Sequence, residues 1–182
     1  MTSATSSSSS LKTRVRDVIR DIPDFPKPGI VFKDITPLLE HGPLFKEIID
    51  HLEKRYRDRG LTSIVAIESR GFIFGAPLAN ALGIGLTLMR KPGKLPSTTL
   101  GVNYTLEYGT DRLEIHADAL NKNSRVVLID DLLATGGTAA AARELIESTG
   151  ATLEEAAFLI ELSFLPGREA LKGAPLYSLI SY

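Results

Sequence analysis

Two adjacent carboxylates, Asp130 and Asp131, directly follow an apolar stretch at residues 126–129 that is typical of a short buried strand. A loop of small residues comes next, at residues 134–138, and leads into an alanine-rich segment that is typical of a helix. In open α/β sheets, ligands bind beyond the carboxyl ends of the strands. The free N–H groups of a first helical turn, with the helix dipole, favour an anion there. The pattern therefore predicts an anion-binding loop.

The residue types of this loop suit a phosphate group. Gly136 and Gly137 can take a positive φ, which lets the backbone come close to a ligand. Thr135 and Thr138 can add hydroxyl donors on either side of them. We therefore predict that residues 134–138 hold a phosphate.

The two carboxylates must serve another part of the ligand, because they would repel that phosphate. Asp130 and Asp131 are suited to the hydroxyl groups of a polyol or to Mg²⁺ with its waters. A helix N-cap is the alternative role for an isolated Asp-Asp pair. The strand before the pair and the glycine loop after it favour a binding site for a sugar phosphate.

Composition and motifs argue against several other chemistries. The chain contains no cysteine, which excludes disulfides, thiolate catalysis and zinc–thiolate sites. Its three histidines, His41, His51 and His116, lack metal-ligand spacing. The sequence GIGLTL at Gly83 has two of the three glycines of the dinucleotide fingerprint and opens a strand, and the sequence has no GxxxxGK[ST] loop. An ATP- or NAD-binding module is therefore the weakest alternative.

Length and charge indicate one globular domain at residues 11–182. The chain has 182 residues, of which 43% are hydrophobic and 24% are charged, and this suffices for a substantial core. The net charge of −1 argues against nucleic acid or a membrane surface as a partner, and no apolar run approaches the roughly 18 residues of a membrane span. We interpret residues 1–10 as a disordered Ser-rich tail, with a transit peptide as the alternative, and expect a cytoplasmic protein.

The hydrophobic pattern predicts the elements that must position these groups. Four helices are expected: one that begins at residue 11, one over residues 43–59, one that ends at about residue 82 and one over residues 137–149. Strands are expected at residues 64–67, 86–89, 126–129 and 156–162. Strands that alternate with helices predict an α/β fold with a mainly parallel central sheet flanked by helices. Residues 22–29 indicate a proline-rich connector, and residues 98–115 indicate an antiparallel excursion or flap.

Several segments of the sequence resemble one enzyme family. VVLIDDLLATGGT is similar to the phosphoribosyl pyrophosphate signature of the type I phosphoribosyltransferases. IPDFPKPGIVFKDITPLL, ESRGFIFGAPLA, RKPGKLP and YTLEYG extend the resemblance to the adenine phosphoribosyltransferases, from about Ile22 to the C-terminus. The resemblance implies the type I phosphoribosyltransferase fold, with a small N-terminal hood at about residues 11–40 and a flexible antiparallel flap at about residues 95–115.

The resemblance also implies a reaction in purine salvage. Adenine and phosphoribosyl pyrophosphate would give AMP and pyrophosphate, with Mg²⁺ as the cofactor. The resemblance implies no direct protein ligand to Mg²⁺, which the substrate would mainly hold, with Asp130 or Asp131 in contact through water. A homodimer is implied, with active sites near the interface.

The phosphate groups and the ribose have implied contacts in this family. The 5′-phosphate would be held by Ala134, Thr135, Gly136, Gly137 and Thr138, and the ribose hydroxyls by Asp130 and Asp131. The pyrophosphate would be held by Ser69, Arg70, Arg90, Lys91 and Lys94. Arg70 can bond phosphate oxygens through two N–H groups, although an Arg at that position could also cap a surface helix.

The adenine site is implied by GIVFKDI and YTLEYG. Main-chain groups of Val31 and Lys33 would read the edge of the base, and its ring would lie between Phe32 and Leu132. Family members often carry Arg in place of Lys33, which backbone recognition permits. Glu107 would manage the proton at N7 while N9 bonds to the sugar, and Tyr108 would also line the closed site.

Two other functions are compatible with the same fold. One is a regulator that only senses phosphoribosyl pyrophosphate, but the chain lacks the strong basic balance of a nucleic-acid-binding surface. The other is an enzyme that uses hypoxanthine, guanine, xanthine or orotate, and base choice depends on a few hydrogen bonds. GIVFKDI and YTLEYG favour adenine.

Overall fold

The computed structural model describes residues 10–105 and 110–182. The chain forms two compact units, Met1–His51 and Leu52–Tyr182, and the division falls inside a helix. The single domain and the hood expected from the sequence stay predictions.

The first unit contains three helices and a pair of strands. In chain order these are α1 (Leu11–Val18), β1 (Arg20–Pro23), β2 (Val31–Asp34), α2 (Thr36–Glu40) and α3 (Gly42–Tyr56), of which α3 continues into the second unit. Strands β1 and β2 are antiparallel, with Asp21 opposite Lys33. The predicted connector at residues 22–29 is therefore shorter than expected, because Ile22 and Pro23 belong to β1.

The second unit is built on a five-stranded parallel sheet. Its elements are β3 (Ser63–Ile67), α4 (Arg70–Leu82), β4 (Gly85–Met89), β5 (Thr99–Thr105), β6 (Thr110–His116), β7 (Arg125–Leu133), α5 (Gly137–Ser148), β8 (Thr152–Glu161), α6 (Gly167–Ala170) and β9 (Leu176–Ser181). The order of strands in the sheet is β4-β3-β7-β8-β9, and all neighbours are parallel. This arrangement confirms the predicted α/β class.

Both faces of the sheet are covered, as a parallel sheet requires. On one face, Val65 of β3 and Leu128 of β7 belong to the same buried cluster as Leu145 of α5. On the other face α4 lies so close to the sheet that a Cβ on Gly75 would be 2.7 Å from the Cβ of Ala66. Successive residues of β3 therefore serve opposite layers, and all five of its residues are buried.

The predicted antiparallel excursion is a hairpin of β5 and β6 that forms a separate two-stranded sheet. Its base is tied to the end of β4 by a bridge between Arg90 and Glu114. Leu113 and Ile115 are buried in the same core cluster as the main sheet, at 2% and 0% exposure. The hairpin is thus anchored in the core at this end.

The structure also contains elements that the sequence pattern did not indicate. They are the strands β1, β2 and β9 and the short helices α2 and α6. Strand β8 begins at Thr152 instead of residue 156, because Glu155 is buried and bonded to Arg55 and Tyr56. No helix of the described residues is long and apolar enough to cross a membrane.

Candidate active site

The largest set of predicted site residues lies around one cavity of about 380 Å³ in the second unit. It is lined by the ends of β3 and β7, the start of α4 and the loop that leads into α5. The crossover from β3 goes to β4 on one side, and the crossover from β7 goes to β8 on the other side. The cavity is therefore at the topological switch point, where open α/β sheets bind ligands.

The adjacent carboxylates are inside β7 and not beyond its end, as the sequence pattern had suggested. The strand continues to Leu133, and both Asp130 and Asp131 line the cavity from within it. Asp131 is 4% exposed, and its Oδ2 lies 2.5 Å from Nε of Arg70. Its negative charge is therefore balanced by a residue that follows the neighbouring strand.

Asp130 has a different environment, although it lines the same cavity. Its Oδ1 accepts the main-chain N–H of Asp131 at 2.9 Å. Burial, followed by the negative charge of Asp131, raises the pKa of Asp130 well above its ordinary value. Protonation of Asp130 is thus easier than that of an exposed carboxylate, and a ligand that carries positive charge or hydroxyl donors would favour its ionised form.

The loop at residues 134–138 opens directly onto the N-terminus of α5. Gly136 takes the left-handed conformation with φ +84° at the N-cap position, where glycine offers no side chain to cap the helix. Of the two glycines that can take a positive φ, Gly136 does so, and Gly137 is the first helical residue. The first turn of this 12-residue helix therefore turns its free N–H groups toward the cavity.

The loop at residues 134–138 rests on a turn that the sequence pattern did not indicate. A Cβ on Gly136 would lie 2.6 Å from the carbonyl oxygen of Gly167 and 2.7 Å from the Cβ of Ala170. Arg168 in this turn donates two hydrogen bonds to Glu161, at 2.9 and 2.6 Å. The turn of α6 therefore packs against the loop and fixes its position, and only glycine fits at position 136.

The ESRG segment forms the second helix N-terminus of the cavity. Ser69 is the N-cap of α4, without a side-chain cap bond, and Arg70 begins the helix. The Glu68–Ser69 peptide is cis. A Cβ on Gly71 would be 2.7 Å from the carbonyl oxygen of Ile129, so α4 starts in close contact with β7. Ser69 and Arg70 line the cavity as predicted.

The cations of RKPGKLP are divided by the structure. Lys91 lines the cavity, and its Nζ lies 3.0 Å from Oδ2 of Asp111. Arg90 instead donates to Glu68, with Nη2 2.9 Å from Oε1, and to the carbonyl oxygen of Lys94 at 2.9 Å. The pKa of Glu68 is lowered, chiefly by the hydrogen bond from Arg90. Of these three cations, Lys91 is the one found among the described residues that line the cavity, and Arg90 and Lys94 lie beside the cavity.

The residues predicted to bind adenine are found in both units. Val31, Phe32 and Lys33 are on β2 of the first unit, where Val31 is 49% exposed. Nζ of Lys33 lies 2.7 Å from Oδ1 of Asp21, so this side chain binds the opposite strand. Leu132 is on β7 of the second unit and lines the cavity there. Their joint role stays a prediction.

Glu107 and Tyr108 lie outside the described residues, and their predicted roles remain untested. Two neighbours in the same hairpin line the cavity and were not predicted. The hydroxyl of Tyr104 donates to Oδ2 of Asp111 at 3.4 Å. The alternation of side chains along β5 and β6 was the only sequence signal that could have placed them on one face.

The sequence of this chain matches a known protein family. Residues 34–165 match the family model described as "Phosphoribosyl transferase domain". The parallel sheet, with a glycine loop and two carboxylates at its switch point, is thus that of a phosphoribosyltransferase.

The relatives narrow the family further. The adenine phosphoribosyltransferase of Roseiflexus sp. (strain RS-1) is 61% identical over 172 residues, which cover 94% of this chain and 100% of the relative. The crystal structure of the adenine phosphoribosyltransferase from Thermoanaerobacter pseudethanolicus has a TM-score of 0.90 and 52% sequence identity, and the match covers 94% of this chain and 99% of that protein's chain. The Saccharomyces cerevisiae structure, complexed with an imino-altritol bisphosphate and adenine, has a TM-score of 0.88 with 42% identity over 93% and 98% of the chains. The chain belongs to the adenine phosphoribosyltransferase family.

Proposed function

We propose that this protein acts in purine salvage by transferring the 5-phosphoribosyl group from phosphoribosyl pyrophosphate to adenine, which gives AMP and pyrophosphate. The observation that carries the proposal is the single cavity that brings the phosphate loop, Asp130, Asp131 and Arg70 together. A structural relative from Trypanosoma brucei, 30% identical with a TM-score of 0.88, is described in complex with AMP, pyrophosphate and ribose-5-phosphate.

The 5′-phosphate is assigned to the loop at residues 134–138. The first-turn N–H groups of α5 and the hydroxyls of Thr135 and Thr138 supply donors without any positive side chain in the loop itself. Because Gly136 packs against the turn of α6, the loop has its binding conformation before the ligand arrives. Such preorganisation reduces the entropy lost on binding.

The ribose and the pyrophosphate are assigned to the groups on either side of this loop. Asp130 and Asp131 accept hydrogen bonds from ribose hydroxyls, and their charge stabilises positive character that develops at C1. Ser69, Arg70 and Lys91 contact the pyrophosphate, while Arg90 and Lys94 support this site from beside the cavity. Because these groups fix the donor substrate in place, C1 is held open to attack from one side.

Mg²⁺ is proposed as the cofactor of the substrate. Among the described residues, no group of three carboxylates or histidines could hold a metal ion. Asp130, whose carboxylate lines the cavity, suits a contact with a water of the ion. This donor set fits a Mg²⁺ that retains waters and is bound mainly by phosphate oxygens, where it would neutralise the charge of the leaving pyrophosphate.

The transfer step exchanges one bond at C1 for another. The C1–oxygen bond to pyrophosphate breaks, the electron pair leaves with pyrophosphate, and N9 of adenine attacks from the opposite face. Val31, Phe32, Lys33 and Leu132 are assigned to the base by family resemblance, and Glu107 to the proton at N7, with Tyr108 beside it. Exclusion of water from the closed site protects the activated sugar from hydrolysis.

The cytoplasmic location and the homodimer, with active sites near its interface, belong to the same proposal. A C₂ dimer is the commonest assembly of soluble homo-oligomers. Sedimentation equilibrium of the purified protein checks it, since a fully active monomer would refute an active site shared between subunits.

The decisive experiment is a product assay across a panel of bases. Purified protein is incubated with Mg²⁺, phosphoribosyl pyrophosphate and one of adenine, hypoxanthine, guanine, xanthine or orotate, and nucleotide and pyrophosphate are quantified. We expect AMP and pyrophosphate in equal amounts from adenine, loss of turnover with a metal chelator, and loss of turnover in an Asp130→Asn, Asp131→Asn double variant. Robust product from another base, with no AMP, would refute the assignment of adenine.

A further inference from the structure

Three side chains that line the cavity form a connected group, Tyr104, Asp111 and Lys91. The hydroxyl of Tyr104 donates to Oδ2 of Asp111 at 3.4 Å. The same Oδ2 lies 3.0 Å from Nζ of Lys91.

Asp111 is held in place from both strands of the hairpin. It lies directly opposite Tyr104 in the register of β5 and β6. Its Oδ1 accepts the main-chain N–H of Arg112 at 2.8 Å, and its side chain is 19% exposed. The pKa of Asp111 is lowered by this backbone hydrogen bond and then by the one from Lys91. The residue is therefore a fixed negative charge at neutral pH.

A carboxylate that stays ionised opposes the binding of an anion at this site. Asp111 neutralises Lys91 and occupies one of the three donors of its ammonium group. It would also repel any phosphate oxygen that approaches the same ammonium. No part of the phosphate chemistry assigned above requires this carboxylate.

We propose that Asp111 is a competing counter-ion that limits the affinity of this site for the pyrophosphate group. The inference rests on the proposed function, because it requires a pyrophosphate-bearing substrate. The incoming pyrophosphate displaces Asp111 from Lys91, and Asp111 takes Lys91 back when the product leaves. Binding that is equally tight in the ground state and the transition state lowers KM without raising kcat, whereas a weaker grip on pyrophosphate speeds product release.

The test is Asp111→Asn, which removes the charge and keeps an oxygen that can accept the N–H of Arg112. We expect the Kd of inorganic pyrophosphate with Mg²⁺, measured by calorimetry, to fall by roughly 3- to 10-fold. A damaged site loses affinity, so a gain cannot come from misfolding. Asp118→Asn is the matched control, because Asp118 is exposed beyond the end of β6 and the same change of charge there should leave Kd unaltered.

The same substitution in a Lys91→Ala protein separates the effect of the ion pair on pyrophosphate binding from a general effect of charge. In Lys91→Ala protein, the gain from Asp111→Asn should be less than half as large, since the ammonium that would be released is missing. Unchanged or weaker binding in Asp111→Asn, or an equal gain in the Lys91→Ala background or in Asp118→Asn, would overturn the proposal. AMP formation by the unaltered protein is scored separately. An active enzyme in which Asp111→Asn has no effect refutes the counter-ion alone, and an inactive one refutes the proposed function.

Discussion

Nε of Arg70 lies 2.5 Å from Oδ2 of Asp131, so the residue that begins α4 is the partner of a carboxylate near the end of β7. Asp131 is buried at 4% exposure, and a buried charge without a partner is costly. The residue assigned to pyrophosphate and a residue assigned to ribose thus stabilise each other across the switch point. Substrate binding must rearrange or share this ion pair.

Arg70→Ala should lower kcat/KM for phosphoribosyl pyrophosphate by roughly 10- to 100-fold, since a charge-assisted hydrogen bond contributes about 1.5–3 kcal/mol. The free energy of unfolding should also fall, by about 3 kcal/mol, because the change leaves the buried charge of Asp131 without its partner. Steady-state kinetics and urea unfolding measure the two effects. Arg57→Ala, in an exposed pair with Glu53 on the helix end, is the control and should change neither. Equal activity of the two variants would remove Arg70 from the pyrophosphate site.

Gly136→Ala should abolish tight binding of phosphoribosyl pyrophosphate and destabilise the protein by about 2–4 kcal/mol, because it combines a positive φ with overlap against Gly167 and Ala170. Gly83→Ala is the matched control. Gly83 has φ +66° at the end of α4, but nothing lies within 4 Å of a Cβ there, so only the backbone term of about 1 kcal/mol applies. Thermal unfolding and calorimetric binding compare the pair. If the two variants lose the same stability and both still bind, the turn of α6 does not support the loop.

Glu155→Gln should destabilise the protein at pH 7 by about 2–3 kcal/mol without changing kcat. Burial alone would raise the pKa of Glu155, but hydrogen bonds from Arg55 at 2.7 and 2.8 Å and from Tyr56 at 2.7 Å outweigh it and leave the pKa lowered. A carboxylate with a lowered folded pKa stabilises the fold above its unfolded pKa of about 4.3 and loses this contribution as the pH falls through the folded pKa. The difference between the variant and the unaltered protein should therefore shrink as the pH is lowered below about 4.

Urea unfolding at pH 7, 5 and 3.5 measures this difference, with Glu154→Gln as the control. Glu154 is the adjacent residue and pairs with Arg125 at 3.1 Å, where Arg125 is 52% exposed, so its loss should change stability by less than about 1 kcal/mol. A loss in Glu155→Gln that is constant at every pH would mean that shape and packing, and not charge, stabilise the cluster.

Glu107→Gln should lower kcat by roughly 10² to 10⁴, the usual share of general acid–base catalysis. Its effect on stability should stay within about 0.5 kcal/mol, as for an ordinary surface change. Binding of phosphoribosyl pyrophosphate should barely change, because that substrate is assigned to Asp130, Asp131 and the phosphate loop. Single-turnover rates and calorimetry separate these quantities. Near-normal kcat with weaker adenine binding would make Glu107 a recognition contact and leave proton transfer to another group.

The strands were predictable where they are mainly apolar. Residues 64–67 were expected as a strand and lie in β3, which is buried on both faces. Residues 86–89, apolar except for Thr87, were also expected as a strand and lie in β4 at the edge of the sheet, where Leu86 is 38% exposed. The end of β7 was not expected, because Asp130 and Asp131 interrupt the apolar run although the backbone continues in the sheet to Leu133. The start of β8 was missed for the same reason, since the charge of Glu155 is compensated by partners far away in sequence.

The sequence by itself determined the chemistry of the loop and its neighbours: a glycine turn before a helix, two carboxylates beside it, and cations after two other strands. These are local patterns, and the conformational preferences of a few consecutive residues produce them. Only the tertiary structure decided that Asp131 meets Arg70, that Lys91 meets Asp111, and that Gly136 has no space for a side chain above Gly167. Each of these contacts depends on which strands are neighbours in the sheet and on how the chain crosses between them. Long-range packing fixes that order, and local periodicity carries no signal for it.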